Sequence, residues 1–235
     1  MKTKTGILLI HGAGLGSYIW EGLSPKLDLP AVAVDFPDRN EGKHADKNLT
    51  FDDYAAAAVE QAADSGFDRF YIAAHSIGGL IGLRLASHFG DRVCGFAAIS
   101  AAIPRCGGSF VSCLPFPQSK IMPLLLRMAG TLPPESAIKS GLCNHLTPEQ
   151  TRTVVDRYTA ESKALFLQKC NAGIPSVPRL YVHLTDDREF SAKMQHKMAA
   201  NLGTSRTEQL HSGHLPMLTH PTETAALLNR FCTTS

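Results

Sequence analysis

The sequence predicts an α/β protein: a doubly wound, mostly parallel six-stranded sheet with a helical segment inserted after the fourth strand. Three observations carry that prediction. Short apolar runs alternate with longer amphipathic or Ala-rich stretches, the pattern of βα units. A chain of 235 residues can bury roughly 72% of its unfolded surface, enough for one core without disulfides or metals. Between the fourth and fifth runs, residues 104–173 change texture, Pro-rich at first and then helix-like, and are too long for a loop inside a compact domain.

The first strand is residues 6–10, ending at His11-Gly12, and the second is 31–35, ending at Asp35. The third, 69–74, runs into Ala74-His75-Ser76 and a helix that continues through Leu80 to Ala86. The remaining strands are 93–100, 179–184 and 205–210, and each strand except the fourth is followed by a helix candidate. Within the insertion, Thr147-Pro148-Glu149-Gln150 reads as an N-cap, a Pro at the first helical position and an acidic first turn. That helix is expected to run to about Cys170. The division is therefore a core of 1–103 and 174–235 with a helical cap of 104–173, the alternative being a second small domain.

Composition excludes several roles. The 23 basic and 21 acidic residues nearly cancel, which argues against nucleic acid or a membrane surface as a partner held by bulk charge. Any such partner needs a local patch. No apolar run approaches the roughly 20 residues of a membrane span, and the apolar stretch after Lys4 is too short for a secretory signal. The six cysteines (Cys94, Cys106, Cys113, Cys143, Cys170, Cys232) have no CxxC or paired spacing that would suggest zinc or a redox motif, so no metal is expected. They read as reduced thiols of a cytoplasmic protein. A disulfide within 106–170 is the alternative.

The sharpest motif is Ala74-His75-Ser76-Ile77-Gly78-Gly79 between a strand and a helix. A nucleophile elbow needs a serine on a strained strand-to-helix turn with small residues two before and two after. Ala74 and Gly78 meet that need, although the pattern's first Gly is here Ala. A serine at a helix start also has backbone N–H groups beside the oxyanion that forms when it attacks a carbonyl. An ordinary Ser-Gly helix start would look the same in isolation.

The second motif is Leu8-Leu9-Ile10-His11-Gly12-Ala13-Gly14. Gly12, Gly14 and Gly16, with Asp35 on the next strand, superficially resemble a dinucleotide fingerprint, but Ser17 stands where its third Gly belongs. Alternatively, the loop supplies the Ala13 N–H to an oxyanion hole whose second donor is the N–H of Ile77. Topology favours this: with the first strand central, the loops after strands one and three meet at a switch point.

A serine needs a base and a carboxylate to orient that base. His11 and His75 sit inside the loop motifs, where their backbones are expected to matter more than their rings. His44, His88, His145 and His196 read as solvated. His214, after Gly213 and the last strand, can reach back over the sheet end, with His211 its rival. The loop after the fifth strand offers Asp187, with Asp186 and Glu189 as alternatives; adjacent aspartates could also be simple turn formers. The chain order Ser76, Asp187, His214 is that of an α/β-hydrolase.

On these residues the sequence resembles the α/β-hydrolase superfamily over nearly all of its length outside the insertion. Ile10-His11-Gly12-Ala13-Gly14 with Trp20 downstream, and Gly213-His214-Leu215-Pro216-Met217, look like the compact branch of plant methylesterases, hydroxynitrile lyases and related bacterial esterases. The resemblance implies a six-stranded core lacking the superfamily's first two strands, with a helical cap after the fourth. Counting back from Gln195, where that branch often has Gln, also selects Asp187. The lyases place Thr where Gly12 stands and Lys where Leu215 stands, so their absence favours ester hydrolysis.

The expected function is therefore cofactor-free hydrolysis of a small or medium carboxylic ester through an acyl-enzyme on Ser76, by a monomer or homodimer. Thioester or C–C hydrolysis by the same machinery is the alternative, and beyond hydrolysis a lyase-like enzyme or a ligand-binding receptor. Expected substrate contacts are Gly12, Trp20, Phe116, Leu125, Phe166 and Leu215. The cap has eight Lys or Arg against four acids, a net +4 that could attract an anionic substrate, although a solvated face explains it equally.

Overall fold

The computed structural model describes residues 3–39 and 44–234, with the side chain of Cys106 outside that set. Six strands form one sheet: β1 (Thr5–Ile10), β2 (Ala31–Val34), β3 (Arg69–His75), β4 (Val93–Ile99), β5 (Arg179–Leu184) and β6 (Thr207–Leu210). Their order is β2-β1-β3-β4-β5-β6, and every pair is parallel. All six predicted strands are present. The last starts two residues later than expected and the second stops one residue earlier.

The continuous apolar runs are explained by helices on both faces. On one face Leu8, Ile10, Ile72 and Ala74 pack against α1 (Phe51–Asp64), α2 (Gly78–Phe89) and α8 (Ala192–Leu202). On the other, Ile7, Leu9, Ala73 and Ala97 meet residues 15–23 and α10 (Pro221–Thr233). Thr50 and Asp53 close a capping box at the start of α1, and Phe51, Tyr54, Ala55, Ala58 and Ala62 are its buried positions.

Between β4 and β5 lie five short helices: α3 (Phe110–Cys113), α4 (Gln118–Ala129), α5 (Glu135–Gly141), α6 (Pro148–Asp156) and α7 (Lys163–Leu167). Thr147 and Gln150 form the predicted capping box with Pro148 at the first position. The helix does not reach Cys170, however. It stops at Asp156, and residues 158–161 leave it in extended form because they bond to the β1 loop and to residue 45. A last helix, α9 (Pro216–Thr219), follows β6.

Because β1 lies between β2 and β3, the loops after β1 and β3 leave the sheet side by side. The loops after β5 and β6, also neighbours, bond to each other through Thr185 N–H to Leu210 O and Asp186 N–H to Ser212 O. No described helix is long and apolar enough to cross a membrane. Cys94, Cys113, Cys143, Cys170 and Cys232 are free thiols.

Candidate active site

Ser76 is the hinge between β3 and α2, and its φ of +54° lies in the left-handed region that side chains avoid. The turn closes because neighbouring backbones come very near. A Cβ at Gly78 would collide with the carbonyl oxygen of His11, and one at Gly79 with that of Ala102. The Ser76 carbonyl accepts from Gly79 N–H and Ala102 N–H, at 3.1 and 2.8 Å. Ala74 replaces the usual Gly without strain because the helix facing it has Gly82, where a Cβ would come within 3.2 Å of the Ala74 methyl.

Gly12 fits against the same turn: a Cβ there would lie 2.9 Å from Ser76 Cβ and 3.3 Å from Ser76 Oγ. His11 orients this loop. Its Nε2 accepts the Phe36 N–H at 3.2 Å, so Nδ1 carries the proton and donates to the Gly12 carbonyl at 2.8 Å. In a trans peptide the Ala13 N–H then points the opposite way. Among the described residues, the backbone N–H groups of Ala13 and Ile77 have no acceptor. Asp35, the candidate ribose acid, is spent on Ser17, accepting its N–H at 2.6 Å and its hydroxyl at 2.7 Å.

His214 and Asp187 meet at the other side of the opening, Nδ1 to Oδ2 at 2.8 Å, with both side chains buried. Asp187 accepts three further hydrogen bonds, from Ser100 Oγ and from the N–H groups of Glu189 and Phe190. Burial alone would raise its pKa, but the His214 charge and these donors hold it at about 2. Burial pulls His214 down, and the Asp187 carboxylate more than reverses this, leaving its pKa above the ordinary value. Asp186 faces outward, 3.6 Å from His145 Nε2 and 3.4 Å from His211 Nε2, and does not touch His214. His211 is exposed and bonds Thr185.

The rings of both motif histidines do more than expected. His75 is fully buried and donates from Nε2 to the His214 carbonyl at 2.8 Å, its ring 4.6 Å from that of His214. Burial keeps it neutral, with a pKa well below the usual value. Sequence pattern also missed Ser100, Glu161 and Asn144. Glu161 is buried, accepts the Gly14 N–H at 2.8 Å and pairs with Arg39, while Thr159 N–H donates to the Gly14 carbonyl at 3.1 Å. Asn144 Nδ2 donates to the Asp186 carbonyl at 2.8 Å. These contacts cross between distant segments, and no local spacing encodes them. Gln195 could be read only from the resemblance; it ties Leu184 N–H, Leu184 O and Phe190 O together beneath Asp187.

Ser76, Ala13, Ile77 and His214 line one cavity of about 530 Å³, roofed by apolar side chains of the insertion that include Leu125 and Phe166. The other four expected contacts lie elsewhere. Trp20 and Leu215 are fully buried core residues, packed in the same apolar cluster as Ile7 and Leu9, and do not line the cavity. Phe116 is 82% exposed on the outer surface, and Gly12, packed against Ser76, is not among the residues lining the cavity. None of the eight basic residues of the insertion lines the cavity. Its carboxylate is Glu189, so no cation of the insertion lines the opening.

A family model described as "Alpha/beta hydrolase family" matches residues 7–227. Norfluorocurarine synthase 1 of Strychnos nux-vomica is 23% identical over 255 residues, covering 94% of this chain and 92% of that protein. Among solved structures, a pyrethroid hydrolase from Sphingobium faniae JZ-2 superposes with a TM-score of 0.80 at 19% identity, covering 97% of each chain. A methylesterase from Arabidopsis does so with a TM-score of 0.78 at 18% identity, covering 98% of this chain and 100% of that one.

Proposed function

The chain belongs to the alpha/beta hydrolase family, and from that premise we propose that it is a serine esterase cleaving small or medium carboxylic esters. The observation that carries this reading is the buried 2.8 Å contact between His214 Nδ1 and Asp187, on the cavity that Ser76 also lines. With Nδ1 engaged, Nε2 of His214 is the nitrogen left to receive the Ser76 proton.

Ser76 Oγ attacks the ester carbonyl carbon as its proton passes to His214. The carbonyl oxygen becomes an oxyanion held by the N–H groups of Ala13 and Ile77. The tetrahedral adduct collapses to an acyl-enzyme, and the departing alcohol takes the proton from His214. A water, deprotonated by His214, then attacks the acyl carbon, releases the acid and restores Ser76. Residues 104–173 act as a cap whose apolar roof receives the acyl or alcohol portion. The free thiols support the cytoplasm as the compartment.

Two observations weigh against a hydroxynitrile-lyase reaction. Position 12 has no room for a side chain beside Ser76, and Leu215 is buried away from the cavity. The test is fluorophosphonate labelling with peptide mapping, run beside a p-nitrophenyl ester panel. Label on Ser76 and turnover lost in Ser76→Ala are expected. Absence of label from Ser76 in folded protein overturns the mechanism, and labelling without turnover points to a ligand-binding receptor.

A further inference from the structure

The large exposed apolar side chains of the described residues fall in one place: Phe116, Ile121, Leu124, Leu125, Met128 and Leu132, all on or beside α4. Residues 121, 124, 125 and 128 follow the i, i+3, i+4, i+7 spacing of a helix stripe, which in a soluble domain faces the core. Here the stripe faces out. Leu124 is 56% and Met128 78% exposed, and Leu126 on the opposite side is the buried residue of the helix. An outward apolar face of this size marks an interaction surface.

The charge around the face selects the partner. Lys120 and Arg127, seven residues apart, run along one flank of the stripe, and Lys163 of α7 reaches α4 to donate to the Arg127 carbonyl at 3.2 Å. Between Asp91 and Glu135 the chain has no Asp or Glu at all. A twofold contact with the two helices antiparallel would set the Lys120 and Arg127 flank against the same flank of the partner, which disfavours that pairing with a second chain. An apolar helix face flanked by cations, on a chain segment without acids, fits an anionic lipid surface, with the helix lying in the plane of the headgroups.

We infer that α4 docks the protein on anionic lipid bilayers, Leu124 and Met128 entering the headgroup boundary while Lys120, Arg127 and Lys163 meet lipid phosphates. Leu125 is half exposed and also lines the cavity, so the docked face adjoins the opening above Ser76. The near-neutral total charge conceals this patch.

The experiment is flotation of the full chain with vesicles of phosphatidylcholine alone or with roughly 30 mol% phosphatidylglycerol. Three surface cations make binding to the anionic vesicles about a hundredfold tighter than to neutral ones, and raising the salt to about 0.5 M weakens it. Leu124→Ser/Met128→Ser, on exposed positions away from the cavity, abolishes flotation with an unchanged melting temperature. Lys120→Gln/Arg127→Gln weakens it in anionic vesicles alone. No flotation with either vesicle, or flotation that survives the serine pair, overturns the inference. So does a concentration-dependent dimer that the serine pair dissolves, since the face then belongs to a second copy.

Discussion

The carboxylate of Glu161 accepts the backbone N–H of Gly14 at 2.8 Å, 147 positions away in the chain. With Thr159 N–H on the Gly14 carbonyl, this fixes both backbone polar groups of Gly14, the residue next to Ala13. The inserted segment thereby sets the geometry of the loop after β1. Glu161→Ala removes the acceptor and leaves Arg39 buried without its partner, which costs about 3–5 kcal/mol. Glu161→Gln keeps an oxygen for Gly14, so kcat should fall far less than in Glu161→Ala, while urea unfolding registers a loss in both. Equal kcat in the two variants would show that the loop holds itself.

Activity should depend on the proton of His214 in a defined direction. As the proposed base it works only when neutral, and Asp187 raises its pKa above 6.5. The acid limb of kcat/KM should therefore have its midpoint above pH 6.5. Asp187→Asn removes the main group that raises it and leaves burial opposed only by the weaker pull of Glu189, so the limb moves to lower pH and kcat drops about 10⁴-fold.

Stability should fall on acidification for a different reason. His11 and His75 are buried, and burial holds both pKa values below the 6.5 of the unfolded chain. Their contribution is complete above pH 6.5 and is lost as pH falls below it, because the unfolded state then takes up protons that the folded state refuses. The loss is about 1.4 kcal/mol per pH unit for each group until its folded pKa is reached. His214, with its raised pKa, opposes one of them: its share is full below 6.5 and disappears as pH climbs through its folded value. Urea midpoints measured between pH 7.5 and 5 should decline, and His75→Asn should flatten the slope.

Gly12→Ala should be disproportionately harmful. Its Cβ would press on Ser76, the proposed nucleophile, at 2.9 Å, and a displacement of that kind is expected to cost about a hundredfold in rate. Gly22→Ala, with nothing within 4 Å of the added methyl, is the control and should leave both rate and melting temperature unchanged. The comparison is made on fluorophosphonate labelling rates.

The strands, their order around β1 and the meeting of Ser76 with Gly12 were legible because they follow from short-range signals. Apolar runs mark strands, and a Ser between small residues marks the elbow. Trp20 and Phe116 were misplaced as substrate contacts for a physical reason: an aromatic in a loop has the same signature whether it turns inward to the core or outward to solvent. The helix after Thr147 was read too long because its start is encoded locally, by a capping box, while its end is set by the pairing of residues 158–161 with the β1 loop. The rings of His11 and His75 were underestimated because their partners, Phe36 N–H and the His214 carbonyl, lie far off in sequence.

The positive φ of Ser76 has a consequence for how the protein can change. Glycine adopts that conformation freely, whereas a serine there sacrifices about 1–3 kcal/mol. Ser76→Gly should therefore melt at a higher temperature than the parent while turning over nothing. Screening for thermal resilience alone would favour the dead variant, so directed evolution of this scaffold has to couple every gain in robustness to a selection for turnover.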